Sequence, residues 1–162
     1  AAALRTGSWL LVNDRVDIAM AVRANGVQLG SRSLEVADAR MLLGAGARIG
    51  ASTHGAADVR QAEVDGADFA LLGNIYETRS HPERRALGVG EVERAARDSA
   101  IPVIAIGGIR PLHAESLARA GAHGVAVLGG VWHAADPVDA VAEYVAAVHA
   151  AWSMEDDGND QR

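Results

Sequence analysis

Short apolar runs alternate with amphipathic segments along most of this chain. The apolar runs are rich in Val, Ile and Leu, as expected for strands that are buried on both faces of a parallel sheet. The predicted strands cover residues 8–13, 26–30, 48–52, 68–72, 103–106 and 124–128. Apolar residues at helical spacing predict helices over residues 16–23, 34–43, 56–64, 89–97, 112–120 and 137–150. The pattern therefore predicts six β/α units in series.

Turn residues support this division of the chain. Gly26, Gly46 and Gly66 each stand between a predicted helix and the next strand, where a residue in the left-handed region commonly ends a helix. Asp14 is predicted to cap the first helix. The polar segment 73–88 is too long for an ordinary connection, and structureless loops of this length are often lids over a site.

Repeated β/α units predict an all-parallel α/β sheet, either open and doubly wound or closed as a barrel. Uniformly short strands, and glycine-rich turns after the last two strands, favour the (β/α)8 TIM-barrel type. Six units cannot close an eight-stranded barrel, so we expect an incomplete barrel whose first and last strands are exposed edges. We predict a loose N-terminal end over residues 1–7, one barrel domain over residues 8–151 and an acidic disordered tail over residues 152–162.

Composition and charge exclude several classes of function. A net charge of −6 and an aromatic content of 4% provide neither a basic field nor a stacking surface for nucleic acid. The chain has no cysteine and all 15 basic residues are arginine, which excludes thiolate metal sites and lysine Schiff bases. We see no secretory signal and no run of about 18 apolar residues, so we expect a cytoplasmic protein without a membrane partner.

Two glycine pairs follow the last two predicted strands. Gly107-Gly108 ends the apolar run that begins at Ile101, and it precedes Pro111, a favourable first residue for a helix. Gly129-Gly130 follows the next strand, which is a spatial neighbour in a barrel. Backbone N–H groups in such turns bind phosphate, so the two pairs are predicted to form one phosphate site. The alternative is that both pairs serve only close packing and turns with positive φ.

Polar side chains also follow predicted strands, where barrel enzymes carry their functional groups. These candidates are Asn13, Asp14, Ser52, His54, Glu77 and His81. Asp14 can bind Mg²⁺ or hold a ring nitrogen beside Asn13, or it can be only a helix cap. Ser52 and His54 offer a hydroxyl and an imidazole to a ligand, or they merely begin the next helix. Glu77 and His81 form a candidate general acid/base pair, whereas His113 and the later histidines lack metal-ligand spacing and are predicted to be incidental.

Six motifs, in this order along the chain, together resemble the thiamine phosphate synthase/TenI family. They are Leu-Val-Asn-Asp-Arg at 11–15, Gly-Val-Gln-Leu-Gly at 26–30, Gly-Ala-Ser-Thr-His at 50–54, Gly-Ala-Asp at 66–68, Ile-Pro-Val-Ile-Ala-Ile-Gly-Gly-Ile at 101–109 and Gly-Val-Ala-Val at 124–127. The resemblance implies a (β/α)8 barrel in the thiazole branch of thiamine biosynthesis. One branch of the family joins a pyrimidine pyrophosphate to thiazole phosphate with Mg²⁺. The TenI branch aromatises a thiazole carboxylate phosphate by moving a proton, without a metal.

Departures from the family pattern bear on which of these two activities is expected of the chain. Ser33 stands where the synthases carry a second Mg²⁺ carboxylate, and the segment 77–81 lacks their pyrophosphate-binding lysine. Gly129 replaces a serine that usually follows the last strand. Losing the carboxylate and the lysine is expected to impair synthase activity. Tyr76-Glu77-Thr78 instead resembles the Phe-Glu-Thr of TenI-type proteins. Asn74, however, replaces their histidine, so a proton transfer needs another base.

The resemblance also implies two further β/α units before the first strand, and we expect that this chain is a truncated form. Our leading hypothesis is a TenI-like thiazole tautomerase without a metal cofactor. Its site residues would be Gly107, Gly108, Gly129 and Gly130 for the phosphate, Asn13, Asp14, Ser52, Asn74 and Thr78 for the remainder of the substrate, and His81, Glu77 or His54 for the proton. The alternatives are a synthase, with Asp14 binding Mg²⁺, and a non-catalytic binder of a phosphorylated thiazole. The oligomeric state, including a homo-oligomer, stays open.

Overall fold

Six parallel strands alternate with helices in the structure, a computed structural model that describes residues 6–78, 82, 83 and 85–159. The strands are β1 Leu11–Asn13, β2 Gly26–Leu29, β3 Arg48–Thr53, β4 Phe69–Gly73, β5 Val103–Ile106 and β6 Gly124–Ala126. The helices are α1 Val16–Val22, α2 Val36–Leu43, α3 Ala56–Val64, α4 Val89–Asp98, α5 Ala114–Arg119, α6 Gly129–Trp132 and α7 Pro137–Asn159. A 3₁₀ turn at Pro111–His113 precedes α5.

Each strand pairs in parallel with its neighbours in sequence, so the order in the sheet is β1-β2-β3-β4-β5-β6. Sequential order with a helix after each strand is the topology of a TIM barrel. The sheet curls into an incomplete barrel in which β1 and β6 are the two edges. The predicted fold class, with about six β/α units and exposed first and last strands, is confirmed.

The hydrophobic core lies between the convex face of the sheet and the helices. Alternate strand residues point to this face, so Ile49 and Leu72 are fully buried. Val59 of α3 and Val92 of α4 pack in one cluster with Leu72, whereas Ile49 packs in a second cluster with Ala39 of α2. Burying one side chain of this size contributes about 1.5–3 kcal/mol to the free energy of unfolding. The apolar runs in the sequence are therefore explained by burial of the convex face.

A partly buried ion pair joins the elements at the amino end of the sheet. The guanidinium of Arg40, in α2, lies 2.6 Å from a carboxylate oxygen of Asp68 and donates hydrogen bonds to the carbonyls of Gly66 and Ala47. The same oxygen of Asp68 accepts the backbone N–H of Ile49 at 2.7 Å. This network fixes α2 and the first residues of β3 and β4 to one another.

Several predicted boundaries are wrong at the ends of elements. Asp14 does not cap α1, because its φ of 62° turns it away from the helix and Arg15 takes the N-cap position. Gly66 has the predicted positive φ, of 93°, but Gly26 lies inside β2, where a Cβ would overlap the carbonyl of Arg48. The last helix continues to Asn159, so the predicted boundary at residue 152 is not where that helix ends.

Candidate active site

The candidate side chains lie along the carboxyl edge of the sheet, because parallel strands all end on the same side. Asn13 ends β1, Ser52 lies near the end of β3, and Asn74 follows β4 directly. The glycine pairs follow β5 and β6. His81 lies outside the described residues. The structure therefore brings the described candidates to one edge of the sheet, as expected from parallel strands, and their roles stay predictions.

The first glycine pair is pressed against the segment that follows β4. Gly107 and Gly108 have φ values of 95° and 65°. The carbonyl of Gly107 accepts the backbone N–H of Tyr76 at 3.0 Å. A Cβ on Gly107 would overlap Asn74, and one on Gly108 would overlap the carbonyl of Glu77. Close approach of this segment and positive φ therefore require glycine at both positions, whether or not a phosphate binds there.

The second glycine pair opens α6, beside the first pair, because Ile106 and Ala126 are register partners in β5 and β6. A Cβ on Gly130 would overlap the hydroxyl of Tyr144. Within the described part of the chain, no hydrogen bond uses the backbone N–H of any of the four glycines. These N–H groups are therefore free to meet an anion at one edge of the sheet.

The helix after the first glycine pair is shorter than predicted, and the short helix that begins at the second pair was not predicted. A 3₁₀ turn begins at Pro111, and α5 starts only at Ala114 and has six residues, while α6 has four. The α-helix expected to begin at Pro111 therefore begins only at Ala114, so backbone N–H groups of the turn, and not a helix N-terminus, follow Gly107-Gly108.

Asp14 forms a cluster with the turn after β2. Its Oδ1 accepts a hydrogen bond from the Ser33 hydroxyl and lies 3.3 Å from the backbone nitrogen of Gly30. The Gly30 N–H also donates to the Ser33 hydroxyl at 2.8 Å. The described residues contain no group of three His, Asp or Glu side chains that could hold a metal ion. Asp14 thus meets a serine hydroxyl where the family resemblance implies a second carboxylate for Mg²⁺.

Ser52 is held by a residue that the sequence analysis did not select. The Gln28 amide donates to the Ser52 hydroxyl at 3.0 Å from the neighbouring strand β2. The other end of this amide, Oε1, is buried and has no hydrogen-bond partner in the described structure. Gln28 lies inside the Gly-Val-Gln-Leu-Gly motif at 26–30. Because successive strand residues point to opposite faces, strand alternation was the sequence signal that could have placed Gln28 on the concave face.

The segment after β4 is anchored by His113, which the sequence analysis treated as incidental. The Tyr76 ring stacks on the His113 ring with centroids 3.8 Å apart. His113 Nδ1 accepts the backbone N–H of Arg110 at 3.1 Å. Burial lowers the pKa of His113, which favours the neutral imidazole that this hydrogen bond needs. His113 therefore has a structural role in holding Tyr76, and the expectation that it binds no metal stays a prediction.

The candidates for proton transfer differ in burial. Asn74 is 7% exposed, and its side-chain amide donates to the carbonyl of Tyr76 at 3.3 Å. Thr78 is half-buried, whereas Glu77 is exposed. His54 is also exposed, and its backbone N–H donates to Asp58 at 2.9 Å. The predicted roles of these groups in moving a proton stay predictions.

The family model for thiamine monophosphate synthase matches residues 1–131, which is most of the chain. This chain belongs to the thiamine monophosphate synthase family. A thiamine-phosphate synthase from Chloroflexus aurantiacus is 41% identical over 145 residues, which are 89% of this chain and 66% of that protein. A thiamine phosphate pyrophosphorylase from Pyrococcus furiosus has a solved structure with a TM-score of 0.85 and 32% identity, covering 92% of this chain and 71% of that one.

Other relatives of this thiamine monophosphate synthase family are much longer than the chain. The thiamine-phosphate synthase of Prochlorococcus marinus strain MIT 9313 is 39% identical over 131 residues, which make up 37% of its length. The chain therefore spans little more than a third of that relative. The Chloroflexus and Prochlorococcus relatives carry the synthase name, which favours the synthase alternative over the tautomerase hypothesis. No helix in the described ranges has the length and apolar character needed to cross a membrane.

Proposed function

We propose that this chain binds a phosphorylated thiazole at the carboxyl edge of its sheet and contributes to the synthase step of thiamine biosynthesis. In that step thiazole phosphate is joined to a pyrimidine pyrophosphate, and pyrophosphate is released. The observation that carries the proposal is the group of four unused glycine N–H donors on neighbouring strand ends. The names of the relatives support the reaction class.

The roles of the residues follow from their chemistry. The N–H groups of Gly107, Gly108, Gly129 and Gly130 would hold the phosphate oxygens, since preorganised backbone donors bind an anion without a side-chain charge. Ser52 would direct its hydroxyl hydrogen toward the substrate, because the Gln28 amide already donates to its oxygen. Asn13, Asn74 and Thr78 would supply further polar contacts along the same edge. Because no lysine is present, the countercharge for a released pyrophosphate would have to come from arginine.

Calorimetric titration of this 162-residue chain with thiazole phosphate and with the unphosphorylated thiazole alcohol tests the binding part. We expect the phosphate ester to bind at least about tenfold more tightly, which corresponds to about 1.4 kcal/mol. Equal affinities would show that the glycine N–H groups do not recognise phosphate. The reaction part is tested by pyrophosphate release with both substrates, measured with Mg²⁺ and with a chelator.

A tautomerase is the second candidate, because Ser33 puts a neutral hydroxyl on Asp14 where a synthase carries a carboxylate. It would aromatise a thiazole carboxylate phosphate by proton transfer, with His81, Glu77 or His54 as the base. Incubation with that tautomer, followed by the appearance of aromatic absorbance, tests it. If Glu77 or His81 carries the proton, the variant that removes that residue, Glu77→Gln or His81→Gln, is expected to have the lower tautomerisation rate. Binding without either reaction would identify a non-catalytic relative.

A further inference from the structure

Tyr144, in the last long helix, contacts Ile109, directly after the first glycine pair, and Gly130 of the second pair. It is 8% exposed, and its hydroxyl donates to the carbonyl of Ile109 at 2.8 Å. Ile109 directly follows Gly107-Gly108. The same hydroxyl oxygen occupies the space where a Cβ on Gly130 would stand. One phenolic oxygen therefore links the turn after β5 to the turn after β6.

Packing around the Tyr144 ring holds its hydroxyl at this position. Its ring packs in the main core cluster, where Val125, Val127 and Val131 also pack. Burial raises the pKa of Tyr144, so its hydroxyl stays protonated and remains a donor at neutral pH. A donor held by a packed ring can set the relative position of the two turns.

We propose that Tyr144 is a positioning residue that fixes the separation of the two glycine pairs and thereby sets the affinity for phosphate. This inference rests on the proposed function, because it assumes that the four N–H groups meet one anion. Donors on two separate turns bind an anion tightly only when they are held at the correct spacing before it arrives. Removing the hydroxyl would free the Ile109 carbonyl and loosen the contact with Gly130.

The test compares Tyr144→Phe with Trp152→Phe. Both variants remove one hydrogen bond from α7 to a backbone carbonyl, since Trp152 Nε1 donates to Ala122 at 3.0 Å. Ala122 precedes β6 and therefore lies at the amino end, away from the glycine pairs. Calorimetry with thiazole phosphate, inorganic phosphate and the unphosphorylated thiazole alcohol gives the affinities. Thermal unfolding reports the stability of each variant.

We expect Tyr144→Phe to weaken binding of both phosphorylated probes about tenfold and to leave the unphosphorylated alcohol within about twofold. Trp152→Phe is expected to lower the melting temperature at least as much, with all affinities unchanged. Equal losses of phosphate affinity in both variants would overturn the proposal, because they would trace the effect to stability alone. Unchanged phosphate affinity in Tyr144→Phe would also overturn it.

A measurement without ligand separates this inference from the proposed function. Amide NMR of the unliganded chain is expected to show shifted Gly108 and Gly130 signals in Tyr144→Phe, and unshifted ones in Trp152→Phe. Binding of inorganic phosphate but not of thiazole phosphate by the unmodified chain would overturn the proposed substrate, while the inorganic phosphate titrations would still decide the role of Tyr144. Glycine signals that stay unshifted in Tyr144→Phe would overturn the coupling of the two turns.

Discussion

The two ends of the sheet satisfy their polar groups in different ways. At the amino end, Arg40 and Asp68 pair with each other and also meet the backbone of β3 and of the turn before β4. At the carboxyl end, the described hydrogen bonds leave the glycine N–H groups unused, and Gln28 Oε1 is buried without a partner. The polar groups at the amino end thus bond to one another, whereas several at the carboxyl end do not.

This difference has an energetic meaning. A buried polar group that finds its partner within the chain adds about 1 kcal/mol to stability, whereas an unsatisfied one costs about 1–3 kcal/mol. A protein retains unsatisfied groups mainly where a ligand or ordered water completes them. The amino end therefore holds the units of the fold together, and the carboxyl end is where we place the ligand. Substitutions at the amino end should therefore lower stability without changing ligand affinity, whereas substitutions at the carboxyl end should weaken ligand binding.

The largest effect on stability is expected from Asp68→Ala at the amino end. The substitution leaves the half-buried Arg40 guanidinium and the Ile49 N–H without their partner, which should cost about 3 kcal/mol. Urea unfolding measures the loss, and calorimetry should find unchanged affinity for thiazole phosphate. Asp98→Ala is the control, because its ion pair with Arg60 is largely exposed and should contribute no more than about 0.5 kcal/mol. Loss of binding in Asp68→Ala protein that is still folded would contradict the separation of the two ends.

The second effect is expected from Gly108→Ala at the carboxyl end. A methyl group there meets the carbonyl of Glu77 and requires a positive φ, which should cost about 2 kcal/mol and displace the N–H groups of the turn. Phosphate affinity should fall at least about tenfold. Gly90→Ala is the control, because Gly90 lies in α4 with open space around it and should gain about 0.5–1 kcal/mol. Retained phosphate affinity in Gly108→Ala would exclude a role for this turn in binding.

The third effect is expected from Ser33→Asp, in the cluster around Asp14. Ser33→Asp places a second carboxylate beside Asp14, which should destabilise the metal-free chain by about 1 kcal/mol through like-charge repulsion. Paramagnetic resonance titration with Mn²⁺, as a substitute for Mg²⁺, should detect binding in this variant and none in the unmodified chain. Ser31→Asp adds the same charge at an exposed position of the same turn and should bind no metal. Strong Mn²⁺ binding by the unmodified chain would contradict this expectation and would support a Mg²⁺ site at Asp14.

The sequence predicted the repeating units well because each unit carries its own local signal. Helix α3 has the predicted bounds, since apolar residues at helical spacing and flanking glycines mark both of its ends. The strand order followed from the barrel prediction, since the alternation of strands and helices by itself also allows an open doubly wound sheet. The general rule that barrel enzymes carry their functional groups at the carboxyl edge predicted where the candidate site would lie.

The contacts within the site could not be predicted in this way, because they join distant residues. Tyr144 meets the carbonyl of Ile109 across 35 positions of sequence, and it carries no motif that distinguishes it from another core residue of α7. Asp14 turns to Ser33, 19 positions away, because its backbone adopts a positive φ that a sequence pattern does not reveal. Packing between units, which periodicity does not encode, decides both contacts.

The smallest effect is expected from His113, which anchors Tyr76 at the carboxyl end. Its pKa is lowered from the ordinary value of 6.5 by burial, so the unfolded chain binds more protons between the two values. The contribution of His113 to stability is therefore complete above pH 6.5 and is lost as the pH falls through the lowered value. Urea unfolding at pH 7.5 and 5.0 should show a weaker pH dependence in His113→Gln than in the unmodified chain. His149→Gln, at an exposed position of α7, should leave that dependence unchanged, and equal behaviour of both variants would refute the anchoring role.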